Sequence, residues 1–210
     1  MGTHMQSSDS SLFTATEAAV LTRLPLKAVN NAIDKKTVPA IVRERAGQPV
    51  RLLDRRALLS LTLERRLTDR FVPELRRQVF DALAASSARM LTLDDGLLKI
   101  DLREPRRELA ASMRELQRAR QVVVSDAAIL GGDPVFRGTR VPVHLIAGFV
   151  AEGATEAELL KAYPRLNAEM IGLAPVFAAA YPLRGRPRKQ PWQDRPPVHR
   201  ERTPLAGLKA

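Results

Sequence analysis

A mainly α-helical fold with short β-hairpins is what the sequence predicts. Hydrophobic residues make up 45% of the 210 residues but aromatic residues only 4%, and a core of Leu, Val, Ala and Ile is typical of packed helices. Apolar residues recur at helical spacing behind candidate N-caps in several segments. Short β-prone runs that flank turn sequences predict the hairpins. The chain is long enough for two small domains.

Two short helices joined by a turn are predicted after a loose N-terminus. Thr14 and Glu17 have the spacing of a capping box at the start of the first helix. Leu24-Pro25 predicts the turn, and the second helix is expected over residues 26–34 because its apolar residues share one face. Residues 1–11 are interpreted as a tag remnant and a loose segment, since Met-Gly-Thr-His-Met has the sequence of a cloning scar.

A basic hairpin is predicted directly after the second helix. Two β-prone runs, 38–45 and 50–53, flank Ala46-Gly47-Gln48-Pro49, which is a turn sequence. This order of elements resembles the winged-helix domain of MerR-like regulators, although no long dimerising coiled coil and no effector-binding cysteines follow. The resemblance implies a winged helix-turn-helix, DNA-binding domain over residues 12–85. The candidate DNA contacts are Lys27, Asn30, Asn31 and Lys35 of the helix, and Arg43, Arg45 and Arg51 of the hairpin.

The chemistry of these side chains suits DNA. Asn can pair bidentately with adenine, Lys can meet guanine or phosphate, and a basic wing can touch phosphates or the minor groove. The net charge of +11 and the pI near 10.9 meet the electrostatic condition for a nucleic-acid binder. Two alternatives remain open: the helix face is merely solvated, or the charge serves to neutralise an acidic partner protein.

Three further helices and a second hairpin are predicted in the middle of the chain. Asp54 is a candidate N-cap for a helix over 55–67, and another helix over 71–85 is broken or begun at Pro73. Asp94-Asp95-Gly96 between apolar runs predicts a hairpin, and Pro105 is expected to start a helix that ends near residue 120. Residues 86–124 are interpreted as a linker or a dimerisation segment, because the edges of a lone hairpin need a partner.

The stretch from Ile129 to Tyr181 carries the most specific motif. Turn signals at its start predict a tight loop or hairpin, which three helices follow. Pro142 suits the first turn of the first helix, Thr155 and Glu158 form a capping box for the second, and Asn167 caps the third. The motif residues are Gly131, Gly132, Pro134, Arg137, Gly138, Thr139 and Arg140, which precede Gly153 and Tyr163-Pro164.

In these residues the stretch resembles the small helical domain of domain-of-unknown-function family 433, which is found in bacterial and archaeal VapB-like antitoxins. The resemblance implies an antitoxin-family helical domain over residues 125–182 of a non-enzymatic protein. Such an antitoxin binds and inhibits a PIN-like ribonuclease toxin, and with its DNA-binding domain it would repress its own operon. A homodimer or a higher toxin–antitoxin assembly is expected. The alternative is a stand-alone DNA-binding regulator without a toxin.

Two interpretations of Arg137-Gly138-Thr139-Arg140 stay open. In the structural one, Gly138 adopts a positive φ and the arginines pair with carboxylates of the domain. In the functional one, the segment is an exposed basic turn that contacts phosphate or a toxin.

A basic, proline-rich tail, residues 183–210, is expected to be disordered in the free protein. From residue 184 onward it holds eight Lys or Arg against two acidic residues, a balance of +6. The resemblance implies a toxin whose clustered carboxylates hold Mg²⁺ or Mn²⁺, and an Arg guanidinium can bridge two such carboxylates. The candidate toxin contacts are Arg184, Arg186, Arg188 and, as an apolar anchor, Trp192. A passive tail and a tail that grips DNA phosphates are the alternatives.

No catalytic residue, metal ligand or cofactor is predicted. His144 and His199 lack neighbours at metal-ligand spacing, and Gly131-Gly132 lacks the Lys-Ser/Thr of a phosphate loop. Asp94-Asp95 is better explained as a turn than as a catalytic pair. The chain has no cysteine and no apolar run of ~18–20 residues, so a cytoplasmic protein without membrane contact is expected.

Overall fold

The prediction of a mainly α-helical protein with small antiparallel strand pairs is confirmed in the computed structural model, which describes residues 11–45, 47–86 and 88–183. These residues form eight α-helices and seven short strands. In chain order the elements are β1 Phe13–Thr14, α1 Ala15–Thr22, α2 Leu26–Asp34, β2 Ile41–Arg45, β3 Gln48–Leu53, α3 Arg55–Leu67, α4 Pro73–Ala85, β4 Met90–Leu93, β5 Leu98–Asp101, α5 Arg103–Gln121, β6 Val123–Val124, β7 Val135–Phe136, α6 Val143–Ala151, α7 Glu156–Ala162 and α8 Ala168–Ala180.

The first two helices form where the local signals predict them. Thr14 Oγ1 accepts a hydrogen bond from the Glu17 amide at 3.3 Å, and the Glu17 carboxylate accepts one from the Thr14 amide at 2.8 Å. This capping box satisfies two amides that the helix cannot pair internally. Arg23, with a left-handed φ of 55°, ends α1, and Pro25 precedes α2. The turn between the helices is therefore short.

The basic hairpin is tighter than the sequence pattern suggests. β2 and β3 pair antiparallel with Arg45 opposite Gln48, so the predicted four-residue turn over 46–49 is wrong and the strands extend closer to its tip. Gly47 has a φ of 73°, which a short hairpin turn of this kind favours. β3 also pairs with β1, which makes a three-stranded sheet in the order β1-β3-β2 and fixes the hairpin to the start of α1.

Helix α5 lies at the centre of the molecule, although its residues were expected in a linker or a dimerisation segment. It begins at Arg103 and not at Pro105. Pro105 is tolerated in the first turn of the helix, because the amide that proline lacks would have no partner within the helix there. It packs against α1, α3 and α8. Leu109 and Leu116 belong to the larger buried cluster around α1 and α3, whereas Ala119 belongs to the smaller cluster around α6 and α8.

The predicted tight loop or hairpin in the segment from 129 to 143 is confirmed: Val135 and Pro142 form an antiparallel bridge, and the Phe136 amide donates to the Val141 carbonyl at 3.1 Å. Its strand β7 pairs with β6, which directly follows α5, and Val123 lies opposite Phe136. The apolar Val122-Val123-Val124 run supplies the partner strand. The predicted caps that follow are confirmed: Thr155 Oγ1 accepts from the Glu158 amide at 3.3 Å, and Asn167 Oδ1 accepts from the Met170 amide at 2.8 Å.

Candidate nucleic-acid interface

Helix α2 presents a polar face to solvent. Val29 and Ile33, four residues apart, are its buried residues, so the opposite face is open. Lys27 and Asn31 are also four residues apart and exposed, and Lys35 follows at the exposed end of the helix. These are three of the predicted DNA contacts. Their spacing places an amide and an ammonium group side by side, which is a combination that can pair with base edges.

A shallow depression connects α2 to the hairpin and to the start of α1. It brings together Asn30 and Arg51, two predicted DNA contacts that are distant in the sequence. The Thr14 and Thr16 hydroxyls lie 3.0 Å apart on its α1 side. These hydroxyls could not be predicted as part of the interface, because only the pairing of β1 with β3 brings the start of α1 beside the hairpin. The remaining lining residues are Ala15, Leu26, Pro49 and Val50.

The three arginines of the hairpin do not form one patch. Arg43 lies opposite Val50 and Arg45 opposite Gln48, whereas Arg51 lies opposite Val42, so alternation places Arg51 on the other face of the sheet. Arg51 forms an ion pair with Asp34 at the end of α2. Both side chains are exposed, so this pair orients Arg51 but stabilises the fold little. Arg43 and Arg45 have no ion pair within the described residues.

The charge of this region favours a polyanion. Residues 26–53 carry six Lys or Arg and two acidic side chains, a balance of +4. One of the two acids, Asp34, is the partner of Arg51. All of strand β2 is exposed, so its arginines reach solvent beyond the body of the protein. A surface of this kind raises the local concentration of phosphates and can bind them with little sequence preference.

The glycine-rich motif forms a loop that L-amino acids adopt with difficulty. Gly131, Gly132 and Gly138 have φ values of 67°, 93° and 77°. The structural interpretation of Arg137-Gly138-Thr139-Arg140 predicts a positive φ at Gly138, and this φ is confirmed. Leu130 has a φ of 48° as well, which no sequence signal predicts and which costs free energy in a residue with a side chain. Arg140, two residues after Gly138, is exposed.

Arg137 and Thr139 hold the loop to the end of α5. The Arg137 guanidinium donates to the backbone carbonyls of Gln121 at 3.0 Å and Val123 at 3.5 Å, so its partners are carbonyls and not the expected carboxylates. A cation at a helix C-terminus is also favoured by the helix dipole. The buried Thr139 hydroxyl donates to the Phe136 carbonyl at 2.9 Å and accepts from the Val141 amide at 3.0 Å. These contacts favour a structural role for both residues.

A matched pair of glycine substitutions tests this role of the loop. Gly138→Ala is expected to lower the free energy of unfolding by about 1–2 kcal/mol, because alanine is strained at a positive φ even though its Cβ would meet no neighbour. Gly148→Ala is the control, since Gly148 lies inside α6 with open space at its Cβ, and it is expected to raise stability by about 0.5–1 kcal/mol. Chemical denaturation measures both. Equal effects of the two substitutions would contradict the structural interpretation.

A partly buried polar network that the sequence did not predict joins three helices. Tyr181 Oη donates to Glu17 Oε1 at 2.6 Å, and Arg120 donates to Tyr181 Oη at 2.5 Å and to Glu17 Oε1 at 2.7 Å. Burial, and next the Glu17 carboxylate, raise the pKa of the Tyr181 phenol far above its usual value. Burial lowers the pKa of Arg120, but its bonds to Tyr181 and Glu17 outweigh this and leave the pKa raised. The His144 ring lies beside this network, 2.8 Å from the Tyr181 carbonyl.

The predicted toxin contacts Arg184, Arg186, Arg188 and Trp192 lie outside the described residues. Across the described part of the chain, no group of three or more His, Cys, Asp or Glu is arranged to hold a metal ion. No helix among those same residues has both the length and the apolar character that crossing a bilayer requires.

Comparison with known proteins places the chain in a family. The model of the family described as "Protein of unknown function (DUF433)" matches residues 123–178, which confirms the resemblance of the C-terminal region. The uncharacterized protein y4eO of Sinorhizobium fredii is 39% identical over 185 residues, which span 83% of this chain and 83% of that protein. The chain belongs to the family of y4eO. The similarity to y4eO therefore covers more of the chain than residues 123–178.

One solved structure is similar at lower identity. The X-ray crystal structure of Rv2018 from Mycobacterium tuberculosis matches 77% of this chain and 95% of its own chain, at 16% identity and a TM-score of 0.31. A likeness of this size supports no conclusion about the fold or the function of the present chain.

Proposed function

We propose that this protein is the antitoxin of a type II toxin–antitoxin system, which binds and inhibits a PIN-like ribonuclease toxin and represses its own operon by binding DNA. The observation that carries the DNA-binding part is the exposed polar face of α2 beside a basic hairpin. Two helices with a short turn, followed by a hairpin wing, can dock with the second helix in the major groove. The protein acts by binding and catalyses no reaction.

Each element has its own task in this docking. Asn31 and Lys27 reach base edges and discriminate sequence, while Arg43 and Arg45 on the hairpin contact phosphates and set the register. The Thr14 and Thr16 hydroxyls at the start of α1 are further candidate phosphate contacts. A homodimer would place two such units on neighbouring half-sites of an operator.

The toxin-binding part is supported by the sequence motif of the C-terminal domain, which resembles that of VapB-like antitoxins. The arginines of the tail neutralise carboxylates of the toxin's metal site, and Trp192 anchors the tail on an apolar pocket. The tail starts two residues after Tyr181, which is hydrogen-bonded to Glu17 of α1. Toxin binding near the tail can therefore change DNA affinity through this contact, and the coupling is reciprocal.

Co-expression with the product of the adjacent gene tests the proposal. The two proteins are expected to co-purify, and the full chain is expected to abolish the metal-dependent ribonuclease activity of its partner. Deletion of residues 183–210 should retain the fold and lose most of this inhibition. A chain that still binds its operator but neither captures nor silences a neighbouring nuclease would instead be a stand-alone regulator, and the antitoxin proposal would fail.

A further inference from the structure

The outer edge of strand β5 is open. Within the described residues, β4 and β5 pair only with each other, as an antiparallel sheet of two strands. The Leu102 amide donates to the Arg89 carbonyl at 2.9 Å, so these two residues form a hydrogen-bonded pair that continues the β4–β5 register. Because such pairs alternate along an antiparallel ladder, Ile100 also bonds to β4, whereas the backbone groups of Lys99 and Asp101 point away from it. The N–H and C=O groups of these last two residues form the free edge.

The side chains of β5 alternate between the core side and the solvent side of the sheet. Leu98 and Ile100 lie on the core side but stay partly exposed, whereas Leu91, opposite Ile100 on β4, is buried. The core side of the sheet is therefore covered at β4 and partly bare at β5. Lys99 and Asp101 are exposed on the solvent side. A strand added to this edge would cover more of Leu98 and Ile100.

The charges of β5 suit a second copy of the same strand in one register. An antiparallel copy bonds through outward-pointing residues, so Lys99 of one chain faces either Lys99 or Asp101 of the other. The first of these registers sets two lysines against each other, which is unfavourable. A register with Asp101 facing Asp101 opposes two acids and would require Arg103, a residue of helix α5, in the ladder. The register that pairs Lys99 with Asp101 forms the same ion pair twice and places Ile100 on the two-fold axis.

Both charged side chains can take part in this pairing. The Lys99 ammonium group has no hydrogen bond or ion pair within the described part of the chain. The Asp101 carboxylate already accepts from the Arg103 amide at 2.8 Å and from the Arg103 guanidinium at 2.6 Å. The Arg103 side chain is 73% exposed, so this ion pair stabilises the fold little and the guanidinium can turn toward solvent. A carboxylate has about four acceptor sites, so Asp101 can keep the amide and bind an ammonium group as well.

We infer that two copies of this chain associate edge to edge through β5, which joins their hairpins into one four-stranded antiparallel sheet. Lys99 of each copy pairs with Asp101 of the other, and the backbone groups of these residues bond across the axis. A lone two-stranded hairpin is marginal in water, whereas three or more strands with an apolar face can be stable. An edge lysine discourages pairing with unrelated strands, but the self-complementary copy matches its charge. The inference specifies the interface of the homodimer in the proposed function and rests on that function only in expecting two copies.

Sedimentation velocity of the full chain at about 0.15 M salt, without DNA or toxin, tests the inference. The wild-type chain is expected to dimerise at micromolar concentrations. Lys99→Glu, with its fold checked by circular dichroism, should weaken dimerisation at least about tenfold, because two repulsive pairs replace two attractive ones. Lys161→Glu makes the same change of charge at an exposed residue of α7 and should weaken it by less than about threefold.

A mixture of two variants separates charge pairing from a general loss of the interface. Asp101→Lys alone should also weaken dimerisation, because two lysines then face each other in each pair. An equimolar mixture of Asp101→Lys and Lys99→Glu should dimerise again, since every charge then faces its opposite across the axis.

Disulfide formation locates the two-fold axis, because the chain contains no cysteine of its own. Ile100→Cys is expected to give a disulfide-linked dimer under mild oxidation, since residues on the axis form a non-hydrogen-bonded pair with Cα atoms about 4.5 Å apart. Thr92→Cys, opposite Lys99 on β4, would lie at least roughly 14 Å from its counterpart, three strand spacings away, and should stay unlinked.

A wild-type chain that stays monomeric at micromolar concentrations would overturn the inference. So would equal effects of Lys99→Glu and Lys161→Glu, or cross-linking of Thr92→Cys in place of Ile100→Cys. A dimer that persists in Lys99→Glu and still binds the operator would overturn this interface and leave the proposed function standing. A dimer that dissociates in Lys99→Glu, in a chain that binds neither operator nor nuclease, would support the interface and contradict the proposed function.

Discussion

Lys27→Ala/Asn31→Ala is expected to weaken binding to the operator at least about 30-fold while leaving binding to unrelated duplex DNA nearly unchanged. Each lost base contact costs about 1–3 kcal/mol of discrimination, whereas phosphate contacts by the hairpin persist. Both side chains are exposed, so the fold should survive. Electrophoretic shift or anisotropy titrations on the two DNAs measure the difference.

The hairpin provides the matched comparison for this result. Arg43→Ala/Arg45→Ala should weaken binding to the operator and binding to unrelated DNA to a similar extent. It should also reduce the slope of log affinity against log salt concentration by about 2, since each lost phosphate contact accounts for roughly 0.9. Arg77→Ala/Arg89→Ala, with the same change of charge on exposed residues elsewhere, should leave the slope within about 0.5 of the wild-type value. If all three double variants behaved alike, net charge and not this surface would account for DNA binding.

Arg120→Ala is expected to lower the free energy of unfolding by about 3 kcal/mol, the low end of the range for breaking a buried ion pair. The substitution leaves the buried Glu17 carboxylate with the Tyr181 hydroxyl and the Thr14 amide as hydrogen-bond partners but without the cation that neutralises it. The value is at the low end because the Arg120 side chain is still 22% exposed. Denaturant unfolding followed by circular dichroism measures it.

A neighbouring arginine of the same helix is the control. The Arg118 side chain is 58% exposed and lies 3.6 Å from Glu169, so Arg118→Ala should cost less than about 1 kcal/mol. If Arg120→Ala lowered the free energy of unfolding as little as Arg118→Ala, the hydrogen bonds among Glu17, Arg120 and Tyr181 would contribute little to holding α1, α5 and α8 together. The proposed coupling between tail and helix-turn-helix would then lose its structural basis.

Local signals predicted the helices well. The sequence predicts all four side-chain N-caps, Thr14, Asp54, Thr155 and Asn167, because a cap and its partner lie within three residues of each other. The hydrophobic spacing of α2 likewise predicted which of its faces is open, and so identified Lys27 and Asn31 as exposed candidates.

Long-range contacts were missed for a physical reason. The partners in the buried network are separated by 103 residues for Arg120 and Glu17 and by 164 for Tyr181 and Glu17, and no sequence periodicity connects such positions. The pairing of β6 with β7 was also missed, because two-residue strands carry almost no pattern of their own. The charges on α5 are visible in the sequence, but only packing decides that Glu108 meets Arg65 and Arg66 of α3.

The affinity of the purified full chain for the DNA upstream of its own gene, compared with a scrambled duplex of equal length, tests the central claim most directly. At about 0.15 M salt, a base-reading α2 predicts at least roughly 10³-fold tighter binding to the upstream DNA. Equal affinity for the two duplexes, or no binding to either at that salt concentration, would contradict the account.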